Sequence, residues 1–385
     1  MVTTQAPSPH RTLAVVPTSP EQHTAFLEAR HAQGGAGTVS FLQSRSWGLV
    51  KPDWTSEHLG WFDDTGQQVG AALVLYRPVP GGLRLFAYIP EGPVLDWAAP
   101  DLDNWLAPML DHVRNAGAFA VRMGPPLSYR RWSAATLKAA VGPGRRIGDV
   151  LPDAVDPLGT SVAERLRESG WLRCDSDAQP RHVFEVPLAK RSADDVWTGF
   201  NQEWRRNIKK AAKCGVTAEI ATADYLPTFH ELLLQTERRD GFRLGRSLEY
   251  FQRQHQVLNE EQPSRMRLYV ARHQGEVLAA HTMISFAGRV WYQTGASADH
   301  RREVRPSHAL QWRMMCDAIA QGTRTYDMRG VPDTLDPGQR PFGLMRWKLG
   351  TGGEIAESLG EWDLPLYGAV NRTLHRAMRA YLSRR

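Results

Sequence analysis

The sequence predicts an α/β protein built from two similar domains, and three observations predict it. The order helix, helix, three-strand meander, helix, strand occurs twice, displaced by roughly 205 residues, so the repeating unit is a whole domain and not the turn of a solenoid. At 385 residues the chain exceeds one ordinary core. Its 42% hydrophobic and 23% charged residues are the balance of a globular protein.

In the first copy, residues 1–17 read as a loose lead-in rich in Pro, Ser and Thr. Ser19-Pro20-Glu21-Gln22 starts a helix: Ser19 caps it, Pro20 suits its first turn and Gln22 completes a capping box. Glycines at 34–37 end that helix, and residues 40–50 (SFLQSRSWGLV) space Phe41, Trp47 and Val50 as a second. Strands follow over 58–63, 69–77 and 83–89, separated by Asp64-Thr65-Gly66 and Pro80-Gly81-Gly82, both hairpin signals. Pro90-Glu91-Gly92-Pro93 closes the meander. An amphipathic helix over 102–116 and a strand over 119–123 complete the copy.

The second copy places helices at 226–238 and 247–258, strands at 267–272, 277–286 and 290–294, a helix at 307–321 and a strand at 325–328. Its turns fall at His273-Gln274-Gly275 and Ala287-Gly288. Between the copies, 161–170 is a short helix and 181–188 a strand, which starts the second domain near residue 179. Residues 367–382 form a basic amphipathic helix at the C-terminus.

No apolar run is long enough to cross a bilayer, and the N-terminus MVTTQAPSPHRT lacks an apolar signal core, so the chain is expected in the cytosol. Three cysteines, Cys174, Cys214 and Cys316, without a C-x-x-C pair, point to neither a disulfide framework nor a zinc site. The 13 histidines contain no H-E-x-x-H spacing, and no metal is expected. A net charge of +6 favours an acidic partner such as a phosphorylated substrate or RNA.

Three stretches could carry chemistry. Residues 326–363 read as a strand ending in Asp327-Met-Arg-Gly330, a Pro/Gly/Asp-rich loop, and Trp347-Lys348 set before glycines near a hairpin. Residues 200–215 (FNQEWRRNIKKAAKCG) put Phe200, Trp204, Ile208 and Ala212 on one helical face and leave Arg205, Arg206, Lys209, Lys210 and Lys213 across the rest. Such a basic stripe suits a phosphate backbone; from charge alone a solvated face is the commoner reading, and contact with anionic lipid is a third. Residues 241–250 run from a loop into a helix, with Arg246 beside the capping Ser247 as a candidate diphosphate clamp or a surface ion-pair partner. Lys51, ahead of Pro52, presents the same choice.

The motifs SFLQSRSWGLVKPDW, YIPEGPV, RRNIKKAAKCGV, WYQTGAS, YDMRGV, GLMRWKLGTGG and GEWD, in that order, resemble the FemXAB aminoacyltransferases over roughly residues 38–382. These enzymes build the peptide cross-bridge of peptidoglycan with aminoacyl-tRNA as donor. The resemblance implies two tandem domains of the GCN5-related acyltransferase (GNAT) type, with mixed sheets flanked by helices and no coiled-coil arm. It places domain 1 over 1–178 together with a returning 360–385, and domain 2 over 179–359 with the basic helix 200–215 on the tRNA. It puts the catalytic lysine at Lys348, with Trp347 replacing the usual phenylalanine, and the substrate-phosphate cations at Lys51 and Arg246. Trp54, Phe119, Tyr250, Tyr292 and Thr294 fall at the remaining substrate-binding positions. Where some members carry an aspartate proposed as general base, this chain has Gly124, so no side chain at that position takes the proton.

The implied reaction is attack of an amine on the ester carbonyl of aminoacyl-tRNA, a co-substrate that leaves no need for a bound cofactor. Lys348 would steady the negative oxygen, and the Trp347 carbonyl, water or the terminal adenosine phosphate would receive the proton. The acceptor is a peptidoglycan precursor, nucleotide-linked or lipid-linked, or an amine-bearing natural product; peripheral contact with the inner membrane face would follow from the lipid-linked form. No DNA is implied. An acyl-CoA donor and a noncatalytic RNA- or lipid-binding role are the competing readings.

Overall fold

The computed structural model describes residues 12–33, 39–79 and 84–366. In chain order the strands are β1 (Ala14–Pro17), β2 (Thr55–Phe62), β3 (Gln68–Pro78), β4 (Leu85–Ile89), β5 (Ala118–Met123), β6 (Ser128–Ser133), β7 (Ala154–Val155), β8 (Leu172–Arg173), β9 (His182–Pro187), β10 (Thr217–Ala221), β11 (Met266–His273), β12 (Glu276–Phe286), β13 (Arg289–Ser297), β14 (Thr325–Gly330), β15 (Glu354–Ser358) and β16 (Trp362–Pro365). They form two sheets, ordered β1-β2-β3-β4-β5-β16-β8 and β10-β11-β12-β13-β14-β9-β15-β6-β7.

The duplication is visible in the pairing. β2, β3 and β4 form an antiparallel meander and β5 returns parallel to β4; β11, β12, β13 and β14 repeat that pattern. The helix Leu102–Asn115 makes the first crossover and Pro306–Ala320 the second. Local chemistry sets the hairpins. Asp63 Oδ1 accepts the Thr65 and Gln67 amides at 3.0 and 2.9 Å, folding the β2–β3 turn around Gly66. The pairs Gln274-Gly275 and Ala287-Gly288 have positive φ at both residues, the two-residue turns that match strand twist.

Alternation along β11 and β12 divides the second sheet into two buried faces. Leu268, Val270, Leu278 and Ala280 pack with Phe229 and Phe251 of the helices Leu226–Asp240 and Leu248–Glu261. Tyr269, Ala271, Ala279 and Met283 face Leu310 and Met314 of Pro306–Ala320 on the other side. The longest helices of the described residues have 15 residues, so none of these forms an extended arm.

The chain divides into two compact units, one of residues up to Pro126 with Ser161–Ser176 and from Glu361 onward, the other of Leu127–Thr160 and Asp177–Gly360. The expected first domain therefore loses residues 127–160. They join the second unit because β6 pairs antiparallel with β15, with Ile355 opposite Trp132, and this strand addition is absent from the repeat pattern. From Glu361 the chain enters the first unit, where β16 pairs with β5. The C-terminal helix over 367–382, the glycines at 34–37 and the turn at 80–82 lie outside the described residues.

Candidate active site

Trp347 and Lys348 sit on a short helix, Phe342–Leu349, and not on the loop the glycines suggested; the Gly-rich residues after it make the turn into β15. Lys348 is only 3% exposed. Its Nζ donates to the carbonyls of Met328, Arg329 and Gly330 at 2.7, 3.3 and 2.7 Å. Three acceptors match the three hydrogens of an ammonium, whereas a neutral amine has two. The nest of carbonyls exists because β14 breaks register with β9 between Asp327 and Gly330, with Arg329 in the left-handed region at φ 61°. Asp327 Oδ1 holds that bend by accepting the Arg329 amide at 2.6 Å. Burial pulls the Lys348 pKa down to about 7, with the negative charge of Asp327 opposing the fall and Arg329 adding to it.

Asp327 is itself the inner end of a buried charge network. Its Oδ2 accepts Arg289 at 2.7 Å, and Arg289 also pairs with Glu185. Glu185 meets Arg131 at 3.0 Å, which pairs in turn with Glu354 at the rim. Burial raises the Glu185 pKa, but the two arginines outweigh it and hold the group below the usual carboxylate range.

Parallel pairing of β13 with β14 stops at Trp291 opposite Asp327, so Tyr292, Gln293 and Thr294 continue without β14 beside them. The Tyr292 ring lies 6.5 Å from that of Trp347, and its phenol is raised by burial. A Cβ at Gly295 would stand 1.7 Å from the Tyr292 hydroxyl, so this tyrosine position requires glycine there. Thr294 contributes a carbonyl to Thr282 Oγ1 at 3.4 Å. Behind Tyr292, His281 contacts Gln311 at 3.2 Å, and Gln311 accepts the Tyr326 hydroxyl at 3.0 Å.

The basic helix spans Gln202–Lys213 and is capped by Asn201, whose side chain accepts the Trp204 amide at 2.9 Å. Its buried face is Trp204, Ile208 and Ala211; Ala212, expected there, is exposed because at 3.6 residues per turn the i+7 residue Ala211 comes back under Trp204 and the i+8 residue Ala212 passes beyond it. Arg206, Lys209, Lys210 and Lys213 are exposed and Arg205 half-buried. Trp204 Nε1 donates to the Trp347 carbonyl at 2.7 Å, and the Gly350 amide reaches the same oxygen at 3.2 Å. Both lone pairs of that carbonyl are thus used, which removes it as the proton acceptor the sequence offered. His308 meets Trp204 edge-on, with ring centroids 4.8 Å apart.

The glycines after Lys348 form no phosphate cradle. A Cβ at Gly352 or Gly353 would meet the Gly199 or Glu185 carbonyl at 2.3 or 2.2 Å, so these positions serve close backbone packing. The turn from β13 to Pro306–Ala320 carries Arg301, Arg302 and Arg305.

Arg246 is exposed in the loop before Leu248–Glu261, its guanidinium 4.6 Å over the Tyr250 ring. In the first unit, Lys51 lies 5.3 Å over Trp47, and Trp54 is 6.1 Å from Tyr88 and 5.5 Å from the Arg77 guanidinium. Phe119 is fully buried against Phe86, which makes it a core residue and not a wall of a pocket. The motifs SFLQ and YIPEGP are joined structurally: Gln43 donates to the Pro90 carbonyl at 2.6 Å and Ser40 to Glu91.

Sequence reasoning missed Arg289 as the partner of Asp327 and Glu185 as the second carboxylate on that arginine, although YDMRG contained the aspartate itself. It also missed Glu361 of the GEWD motif. A Cβ at Gly124 would lie 3.6 Å from Glu361 Cγ, so a carboxylate does reach the neighbourhood where the acid at 124 is lacking. Tyr88 donates to Glu361 Oε1 at 2.6 Å, and Arg122 pairs bidentately with Asp363 at 2.7 and 2.8 Å.

Two meander-plus-crossover units of this kind define a tandem acyltransferase-fold protein. A model described as an acetyltransferase (GNAT) domain matches residues 199–348, and the model of the FemAB family matches residues 19–272. The chain belongs to the FemAB family. It is 22% identical to a lipid II:glycine glycyltransferase of Staphylococcus haemolyticus over 94% of this chain and 96% of the relative. It is 23% identical to the Staphylococcus aureus protein of that name, again over 94% and 96%. Among solved structures, FemX superposes with a TM-score of 0.76 at 20% identity, covering 95% of this chain and 99% of the other. A tandem GNAT protein of the clavulanic acid pathway gives 0.51 at 13% identity, over 93% and 99%.

Proposed function

We propose that this protein transfers an amino acid from aminoacyl-tRNA to an amine of a peptidoglycan precursor, in building an interpeptide bridge. The observation that carries this reading is the Lys348 ammonium, fixed by backbone carbonyls beside a basic helix that is hydrogen-bonded to the adjoining residue. The names of the similar staphylococcal proteins, lipid II:glycine glycyltransferases, support the acceptor class.

In this reading the acceptor amine attacks the ester carbonyl carbon of the aminoacyl-tRNA. A C–N bond forms, the C–O bond to the ribose breaks, and the ribose oxygen leaves with a proton originating on the amine. The ester is already activated, so the protein supplies alignment and charge. Lys348 exchanges its longest hydrogen bond, the 3.3 Å contact to Arg329, for the developing oxyanion and keeps the other two. Arg206, Lys209, Lys210 and Lys213 meet phosphates of the tRNA, and Arg246 is the cation the second unit offers to the diphosphate of the acceptor.

The test supplies purified protein with a full set of tRNAs charged with labelled amino acids and with nucleotide-linked and lipid-linked acceptors. Label passing to the acceptor amine in an RNase-sensitive way is the expected result. Acylation that needs CoA and survives RNase sinks the reading.

A further inference from the structure

The helix Leu226–Asp240 ends at Gly241, left-handed at φ 70°, and the next helix begins after Ser247. The backbone between them is tied down. The Leu244 amide donates to Glu237 Oε1 at 2.8 Å, the Phe242 amide to the Glu237 carbonyl at 3.3 Å, and Arg340 to the Arg239 carbonyl. A tethered backbone could have folded its apolar side chains inward. Instead Phe242 is 48% exposed and Leu244 42% exposed. Phe242 is the one aromatic among the exposed large apolar side chains of the described residues, and Leu234 of the preceding helix is also exposed. Arg238, Arg243 and Arg246, all exposed, lie within four residues of Phe242 along the chain, while Asp240 is paired with Arg239 at 3.0 Å.

We propose that loop 241–246 is a membrane-docking element that seats Phe242 and Leu244 at the anionic face of a bilayer. Exposed apolar side chains with exposed arginines as sequence neighbours match the two layers they would meet, acyl chains below and lipid phosphates above. The same loop carries Arg246, so docking it would set that guanidinium at the depth of a lipid-linked diphosphate. The acceptor is then taken in its lipid-linked form. An RNA surface is the weaker match, since leucine offers a base no face to stack on. Only the role of Arg246 rests on the transfer reading; docking is measured with neither tRNA nor acceptor present.

The test is sedimentation with vesicles of phosphatidylglycerol and phosphatidylethanolamine in equal parts, comparing the native chain with F242S/L244S. The native protein should sediment with these vesicles and not with phosphatidylcholine alone, and the variant should lose about tenfold in partitioning. Its transfer to a nucleotide-linked acceptor in solution should be unchanged, and transfer to a lipid-linked acceptor in vesicles should fall about as much as binding. Equal partitioning of variant and native protein overturns the proposal. So does a loss of tRNA affinity with vesicle binding intact, which would make the loop an RNA surface.

Discussion

The indole N–H of Trp204 donates to the main-chain carbonyl of Trp347 across 2.7 Å, so the residue preceding the buried lysine is hydrogen-bonded to the helix carrying the exposed cations. A hydrogen bond from a buried donor is costly to break, because neither group then finds water. Trp204→Phe keeps an aromatic ring and removes the donor. It should cost about 1–2 kcal/mol in urea unfolding and slow single-turnover transfer while leaving tRNA affinity near its native value. Gly350→Ala should do similar damage by a different route, since its Cβ would lie 2.2 Å from Trp204 Cδ1. Unchanged transfer in both variants would separate this hydrogen bond from the chemistry.

Lys348→Met removes the cation while preserving much of the side-chain volume. The chemical step should fall by about a hundredfold or more, as for loss of an oxyanion donor, with acceptor affinity largely kept. Weak acceptor binding with a normal single-turnover rate would count against the assignment.

The pH dependence follows from the same group. Lys348 loses its proton as pH rises through about 7, so the rate of the chemical step should decline above that value. Asp327 favours the charged form, and Asp327→Asn should therefore move the declining limb to lower pH. Asparagine keeps an oxygen for the Arg329 amide, so the bend of β14 is preserved while the charge is removed. A uniform rate loss with an unmoved pH profile would make Asp327 merely structural.

The exposed cations make a separable contribution. Replacing Lys209, Lys210 and Lys213 by glutamine should weaken tRNA binding uniformly across tRNA species and make its salt dependence shallower, the slope of log affinity against log salt falling by roughly one for each phosphate no longer neutralised. Filter binding at several ionic strengths measures both quantities. An unaltered salt slope would return this helix to the role of a solvated face.

Acid should destabilise the protein before its carboxylates titrate. Burial lowers His281 to about 3 and His23 and His308 to about 4, each from an ordinary value near 6.5. The unfolded chain takes up these protons first, so stability is full above pH 6.5 and declines as pH falls toward 4. Urea midpoints measured across that range should drop, and His281→Gln should make the drop shallower. A flat profile would mean that the buried rings are protonated in the folded state.

Sequence alone determined the repeated meander and its crossover helices, because alternation, helical spacing and positive-φ turn residues act within a few positions of one another. The turns at 274–275 and 287–288 were legible for that reason, as were the basic helix and the ordered motifs that marked the family. Tertiary structure decided which sheet residues 128–133 join, since Trp132 finds Ile355 more than two hundred positions away. It also decided that Lys348 is enclosed by carbonyls and that Glu361 lies beside Gly124. A register break in β14 and a returning strand create those environments, and neither leaves a local pattern in the chain. Burial then makes a lysine that the sequence sets near a hairpin into a group poised near neutral pH.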